Sequence, residues 1–385
     1  MLQHIREAAT TAGTADLSTD DFQDLFQPPR LSKPEMHLLL KPFFVLDRQA
    51  DRSKPIEYVY TTMQNGKAVT RRWWVEPHSQ YGLPGPFDRD VTIVLYEIVN
   101  ENYLAKQLPV PAVMPIGSLR DFAERMGITP CGKNISAIKD SLKRLKNTLV
   151  DAEETFFDNK KKRYVSVRLT LLRGLISAGE DDENGGTYGQ NYVIFDETIL
   201  SNLNCGYVMI LDVDCLRTLK TNIAKQLYAH LAYRFYLEAR DGDEWWPADY
   251  EWLAIHLGIK PQTELWRAKQ QLEPAHEELK SLGYIDEYRW DGWRVIYRPG
   301  PVWKGEQLRR QSGSTKHSPV RKGRSTTRNQ GASPAVVEPY DPLIPVLSAF
   351  ASGLPIGEQR IKELGLTPEQ ARMLCEDRHL LPPSR

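Results

Sequence analysis

Apolar positions along this chain change rhythm several times, and each change marks an element. They alternate with polar residues over residues 56–60 and 68–75, and Asn65-Gly66 between the two runs is a strong turn signal, so a β-hairpin is expected. A stretch dense in Gly and Pro follows, YGLPGPFDRD at residues 81–90. Beyond it Val91, Val94, Leu95 and Ile98 recur at helical spacing, predicting a helix over residues 91–104 with Asp88 or Asp90 as its cap. The first 33 residues are polar and irregular, and read as a flexible arm. Residues 304–329 hold almost no apolar side chains and carry eight Lys and Arg against one acidic residue, Glu306, the pattern of a solvated basic linker. Apolar spacing returns over residues 343–381, with Thr367-Pro368-Glu369 as a helix start, so a small helical tail is expected.

The most informative pattern is an internal repeat. SLRDFAERMGITP (residues 118–130) and DYEWLAIHLGIKP (residues 249–261) match at a constant offset of 131. Each is a short helix with a polar cap that ends in Gly-Ile, one variable residue and Pro. Gly127 and Gly258 suit a left-handed C-cap, and Pro130 and Pro261 suit the start of the next helix, which together make a helix-turn-helix. A longer amphipathic helix follows in each copy. The first, residues 133–148, has Ile135, Ile138, Leu142 and Leu145 on one face; the second, residues 262–282, has Leu265, Ala268, Leu272 and Leu279. Strand pairs come next, residues 149–157 and 163–171 in copy one, and 284–290 and 293–298 in copy two, the latter joined by Asp291-Gly292 as a type I′ turn. A long helix precedes each copy, at residues 91–104 and 216–239.

Helix, helix, turn, helix, strand, wing, strand is the winged-helix order, and it occurs twice. The expected fold is therefore α+β, two tandem winged-helix domains with an N-terminal β-hairpin extension and a short helical C-terminal tail. The boundaries follow: arm 1–33, β-rich extension 34–80, first winged helix 81–213, second 214–303, basic linker 304–340 and tail 341–385.

Composition narrows the class. The 385 residues include 50 Lys and Arg and 50 Asp and Glu, and the hydrophobic share is 41%, an ordinary globular balance with room for more than one core. No apolar run reaches the length of a membrane span, and the N-terminal stretch lacks an apolar h-region, so a cytoplasmic protein is expected. Cys131, Cys205, Cys215 and Cys375 form no C-x-x-C pair, which argues against zinc and fits a reducing compartment. A net charge of zero does not by itself point to nucleic acid, but phosphate binding depends on local charge, so distribution matters more than the sum.

Candidate DNA contacts sit where a helix-turn-helix presents its second helix to the major groove. In copy one these are Lys133, Asn134, Ser136 and Lys139, followed by Lys143, Arg144 and Lys146. In copy two they are Lys260, Gln262, Thr263, Glu264, Trp266, Arg267 and Gln270. Gln and Arg bond bidentately to adenine and guanine, and Glu accepts from cytosine. Trp266 has a second reading, as core. The run Lys160-Lys161-Lys162-Arg163 stands at the tip of the first strand pair, where four like charges suit phosphate or minor-groove contact. Trp73-Trp74 and Trp245-Trp246 lie in strand-like segments and read as packing.

Enzyme readings find little support. Residues 127–133 satisfy the first seven positions of a P-loop, but Asn134 stands where the Mg²⁺-binding Ser or Thr belongs and the segment follows a helix instead of a strand. A nicking initiator would hold a metal with two His separated by one residue, and none of the eight His has that spacing. Asp181-Asp182-Glu183 lies in a Gly-rich loop and reads as solvent-facing charge. No catalytic residue, metal or cofactor is expected.

Three stretches carry a family resemblance. YGLPGPFDRDVTIVLYEIV (residues 81–99), LKRLKNTLVDAEETFFDNKKKRYV (142–165) and LKTNIAKQLYAHLAYRFY (219–236) resemble the entry to the first domain, the recognition helix with its wing, and the helix opening the second domain in the plasmid Replication initiator protein A family. The similarity spans about residues 56–299. It implies a protein that binds repeated double-stranded sequences at a plasmid origin, helps open the duplex, recruits the host initiator and replicative helicase, and represses its own promoter as a homodimer. A transcriptional repressor with the same domains is the alternative, and an origin-nicking enzyme the third class.

Overall fold

The computed structural model describes residues 30–47, 50–64, 67–181, 186–241, 245–306 and 367–369. The expected arm before residue 30, the Asn65-Gly66 turn, most of the basic linker and nearly all of the tail lie outside the described residues. The chain opens with β1 (Leu31–Ser32), α1 (Met36–Leu40), the strands β2 (Ile56–Gln64) and β3 (Lys67–Glu76), and α2 (Pro86–Asn102). It continues through β4 (Val113–Gly117), α3 (Leu119–Arg125), α4 (Gly132–Asn147), β5 (Leu149–Asp158), β6 (Arg163–Thr170), β7 (Leu172–Ile176), β8 (Asn191–Phe195) and α5 (Glu197–Asn204). Then come β9 (Leu211–Asp212), α6 (Val213–Thr218), α7 (Asn222–Asp241), β10 (Trp246–Asp249), α8 (Tyr250–His256), α9 (Leu265–Ser281), β11 (Ile285–Asp291) and β12 (Arg294–Pro299). The fold is mixed α+β, with its strands in several small antiparallel sheets.

Helix α2 starts earlier than its apolar spacing suggested. Pro86 takes the first turn, where a missing N–H costs nothing, and Asp88 lies in that turn with its carboxylate accepting from the Gly85 N–H at 2.7 Å. The second long helix is broken in two at Leu219. Thr221 Oγ1 accepts from Ala224 N–H, while the Glu278 carboxylate accepts from the Lys220 and Thr221 N–H groups, so a new helix start is capped there. Residues 301–306 are helical, with Trp303 and Glu306 buried, so the expected linker does not begin at Lys304.

Sheet pairing revises the expected strand order of the first copy. In copy two the three strands run β10-β12-β11, so the strand before the short helix pairs with the last strand of the hairpin. The matching sheet of copy one is β4-β8-β7. The counterpart of the β11–β12 hairpin is therefore β7–β8, not the β5–β6 hairpin at residues 149–171. Strands β5 and β6 instead continue the N-terminal hairpin into a four-stranded sheet, β2-β3-β5-β6, through pairs from Arg72↔Glu153 to Glu76↔Leu149. The segment expected as an appended extension is thus half of a sheet whose other half is β5 and β6, Leu149–Asp158 and Arg163–Thr170.

The turn of the second hairpin is also shifted by one residue. Asp291 pairs with Arg294, leaving Gly292-Trp293 as the loop; Gly292 has φ +54° and Trp293 is not in the left-handed region, the type II′ pattern. Trp293 prefers this register because it places the indole in the core, 6% exposed.

One hydrophobic core runs through both copies, from Trp73, Leu95, Phe122 and Leu145 to Leu231, Tyr250, Leu272 and Tyr297. The segment between α1 and β2 threads between them. Val45 N–H donates to Pro84 O at 2.8 Å, and Leu46 N–H donates to Gly258 O at 2.8 Å. Both helix-turn-helix glycines lie in the left-handed region, Gly127 at φ +72° and Gly258 at φ +66°. They differ in surroundings: a Cβ on Gly127 would meet nothing within 4 Å, whereas one on Gly258 would sit 1.9 Å from Phe44 O. Gly127→Ala should cost about 1–2 kcal/mol, the left-handed penalty alone. Gly258→Ala should cost upwards of about 4 kcal/mol, because the threading segment must also move. Urea unfolding of the two variants side by side tests this, and equal losses would contradict it.

Three histidines are buried in the second copy. His230 donates from Nε2 to His256 O at 3.3 Å, His256 Nδ1 donates to Trp252 O at 2.8 Å, and His276 Nε2 meets Tyr297 Oη at 2.8 Å. Burial pushes His230 down to about 4 and His276 down to about 3. Burial also lowers His256 well below its ordinary value, with the neighbouring His230, Lys41 and Arg234 adding to the effect. These rings stay neutral in the fold while the unfolded chain takes up protons below about pH 6.5. Stability should therefore hold above pH 6.5 and fall as the pH drops toward 4. The loss at pH 5 should be about 2 kcal/mol each for His230 and His276, and His276→Gln should flatten the slope in denaturant midpoints measured across that window.

Candidate nucleic-acid interface

The two helix-turn-helix copies are built by the same local chemistry. Ser118 and Asp249 cap their short helices by accepting from Asp121 N–H and from the Glu251 and Trp252 N–H groups. Each short helix ends in the same pair of bonds: Gly127 N–H to Glu124 O with Ile128 N–H to Ala123 O, and Gly258 N–H to Ile255 O with Ile259 N–H to Ala254 O. This is the Schellman arrangement, and the Ile after each Gly supplies its apolar contact. Neither Pro begins a helix: α4 starts at Gly132 and α9 at Leu265, with Cys131 and Glu264 as caps.

The second helices share one further property. No side chain caps α4 or α9, whereas Asp196, Asp212 and the two residues above cap α5, α6, α3 and α8. The first-turn N–H groups of α4 and α9 are thus without side-chain partners, at the positive end of the helix dipole.

Helix α4 buries Ile138, Ser141, Leu142 and Leu145 and leaves Lys133, Ser136, Lys139 and Lys143 exposed along the opposite side, with Asp140 among them. Asn134 is half-buried and donates from Nδ2 to Thr129 O at 2.8 Å, so it closes the turn. Lys146 is half-buried near the end of the helix. Arg144 is not available to a ligand. Its guanidinium donates to Asp88 Oδ1 at 2.6 Å and to Tyr81 O at 2.9 Å, and Arg52 approaches the other Asp88 oxygen at 3.2 Å. Asp88 is 1% exposed, so this cluster holds α4 against α2, and helical spacing alone could not tell Arg144 from Lys143.

In α9, Ala268, Leu272, Ala275 and Leu279 face the core. Lys260, Thr263, Trp266, Arg267 and Gln270 are exposed, so the core reading of Trp266 does not hold. Arg267 lies 5.0 Å from the Trp266 ring centroid and 3.2 Å from the Glu264 carboxylate. Gln262 is half-buried, and its backbone N–H donates to Tyr250 Oη at 2.9 Å. Farther along α9, Glu273 and Glu277 both accept from the Tyr288 hydroxyl, which leaves the C-terminal half acidic. Only the first two turns of α9 have the charge to approach a polyanion.

The basic tip at residues 160–163 lies at the turn of the β5–β6 hairpin. Asp158 Oδ1 accepts from Lys160 N–H and Lys161 N–H, shaping the turn, and Lys162 adopts φ +55°. Asn159 is buried against α5, its N–H donating to Asn202 Oδ1 and its Nδ2 to Cys205 O. Lys161 pairs with Asp158 at 3.0 Å and Lys162 Nζ donates to Asn159 Oδ1 at 2.8 Å. Lys160, Lys161 and Arg163 line an open groove of about 660 Å³ together with Glu154, Asp158 and Glu197. Lys160, Lys161, Lys162 and Arg163 are all exposed, and Glu197 is already paired with Arg173 at 2.6 Å, so four cations stand at a tip anchored on α5.

Basic residues on the second hairpin were not anticipated. Trp245 lies between the Arg289 and Arg298 guanidinium groups, at 4.9 and 5.0 Å, and Arg289 is exposed. The alternation of Arg289 with apolar neighbours was the available signal. Trp73 and Trp246 are buried in the core. A cavity between α2, α6 and α7, lined by Arg89, Val94, Leu216 and Lys225, measures about 60 Å³, room for water and not for a cofactor. Among the described residues no group of three His, Cys, Asp or Glu is arranged to hold a metal ion, and no helix is long and apolar enough to cross a membrane.

No family model matches the chain, and no curated protein matches it. Two crystal structures of domains 2 and 3 of RctB are similar at 12% identity, with TM-scores of 0.40 and 0.39, over 67% and 68% of this chain and 95% and 97% of those chains. A likeness of that degree fixes neither fold nor function.

The contrast on α4 is testable without any ligand. Arg144→Ala strands the buried Asp88 carboxylate with Arg52 alone and should lower stability by about 3 kcal/mol. Lys143→Ala, one residue away, should stay within about 0.5 kcal/mol of the parent in the same urea titration.

Proposed function

We propose that the chain is a duplex DNA-binding protein with two winged-helix units and acts as a plasmid replication initiator. The observation that carries the reading is one arrangement used twice: long helix, strand, short helix, left-handed glycine turn, second helix without a side-chain cap, and a strand pair whose last strand returns to the first, with β5 and β6 inserted before that pair in copy one. In both copies the second helix exposes polar and basic residues at its N-terminal half, the part that meets base edges when such a helix enters the major groove. Lys133, Lys139 and Lys143 are the phosphate-binding side chains of α4, and Arg267 and Gln270 the base-reading side chains of α9. The N–H groups of their uncapped first turns donate to phosphate oxygens.

The initiator role rests on the resemblance of residues 81–99, 142–165 and 219–236 to the Replication initiator protein A family. With it come binding of repeated origin sequences, recruitment of the host initiator and replicative helicase, repression of its own promoter as a homodimer, and a site of action on plasmid DNA in the bacterial cytoplasm.

Selection of duplexes from a random pool by the purified protein tests the reading, followed by affinity measured against salt. The variant Lys133→Ala/Lys139→Ala/Lys143→Ala should flatten the log–log salt slope by about 2–3. Arg267→Ala should relax preference at one or two base pairs, by about 1–3 kcal/mol on the selected site. Replacing Lys160, Lys161 and Lys162 together should weaken binding to selected and random duplexes nearly equally and flatten the slope as well. Failure to enrich any duplex would overturn the proposal.

A further inference from the structure

Trp266 stands in the first turn of α9 and is 59% exposed; among the described residues no other large apolar side chain is as open to solvent. Leaving an indole in water forgoes the free energy that covering it would supply. Its surroundings do not supply a cover. Ala268 and Leu265 turn toward the core side, and the Arg267 guanidinium, held by Glu264 at 3.2 Å, covers only part of the ring. Lys260, Arg267 and Lys269 are exposed and near Trp266 in sequence, Lys269 with its ammonium over the Trp290 ring at 5.9 Å, against Glu264, and Gln270 is one turn further along the same side. An apolar plate set among cations and an amide matches a ligand that is anionic overall and carries a small apolar group beside hydrogen-bonding edges.

Duplex DNA offers such a group at one place. The base edges of the major groove are polar except for the 5-methyl of thymine. We infer that Trp266 is a specificity-determining residue that packs on a thymine 5-methyl group while Arg267 and Gln270 bond to adjacent base edges. This rests on the duplex-binding reading above. The contact is apolar, so it adds sequence preference without adding to the salt dependence, and it distinguishes thymine from every other base, including uracil in the same hydrogen-bonding register.

The test uses the full chain and a duplex selected from a random pool, in which each thymine in turn is replaced by deoxyuridine. Removing the methyl at one or two positions should weaken binding about fourfold each, the factor that about 0.8 kcal/mol for one buried methyl-sized group corresponds to. Trp266→Ala should bind the thymine and deoxyuridine duplexes equally, and Trp266→Phe should keep a reduced difference. Circular dichroism should report parent-like folding, since the side chain is exposed. A Trp266→Ala variant that retains the full methyl dependence, or that binds as tightly as the parent, overturns the inference. If that occurs while the α4 lysine variant still loses affinity, the duplex-binding reading survives. If no duplex is selected at all, both fall.

Discussion

Backbone between residues 43 and 47 donates hydrogen bonds in two directions, from Val45 to Pro84 O and from Leu46 and Asp47 to Gly258 O. Pro84 leads into α2 and Gly258 is the turn of the second helix-turn-helix, so one extended segment is fastened to both copies. Phe43, Phe44 and Leu46 bury their side chains at the same place, and the Trp73 indole donates to Pro42 O at 2.9 Å. The absence of a side chain at Gly258 permits this approach, since any Cβ would occupy the position of Phe44 O. That glycine therefore serves two requirements at once, a left-handed helix stop and a backbone crossing, where Gly127 serves only the first.

The same N-terminal segment supplies the partners of three buried carboxyl groups. Arg30 bonds to Glu97 on α2, which Arg125 of α3 also approaches; Arg52 shares Asp88 with Arg144; and Glu35 itself is the buried acceptor for His37 and Asn202. His37 donates from Nδ1 to Glu35 and accepts the Phe157 N–H at Nε2, which ties the segment to β5. Charges taken out of water must be paired and hydrogen-bonded, and a network of this kind is destabilising if any member is lost. Arg30, Arg52, Arg125 and Arg144 are therefore committed to architecture. The lysines of α4 and the first turns of α9 are not, and they form the surface left for a polyanion.

This division bears on how the two basic features of the first copy differ. On α4 the exposed lysines stand along a helix whose opposite side is core, with one acidic residue among them. At residues 160–163 the charge density along the chain is higher, and the tip is anchored on α5 through Asn159, with all four basic side chains exposed.

What short stretches of sequence determined is what short-range physics controls. The Gly-Ile turns, the caps at Ser118 and Asp249 and the apolar side of α4 all depend on residues within five positions of one another, and the repeat at residues 118–130 and 249–261 spells them out twice. At the break between α6 and α7 the local cap, Thr221, was legible in the sequence, but the Glu278 carboxylate that accepts from the Lys220 and Thr221 N–H groups comes from far along the chain. The same is true of Arg144, whose role depends on Asp88 and Arg52, and of the basic tip, whose partner is Asn202. Above all, tertiary structure alone decided the strand partners. Every strand carries the same backbone donors and acceptors, so the alternation of residues 149–157 reads identically whether its neighbour is β3 or β8. Only the packing of faces distant in sequence selects β3 for β5 and leaves β4 to β8.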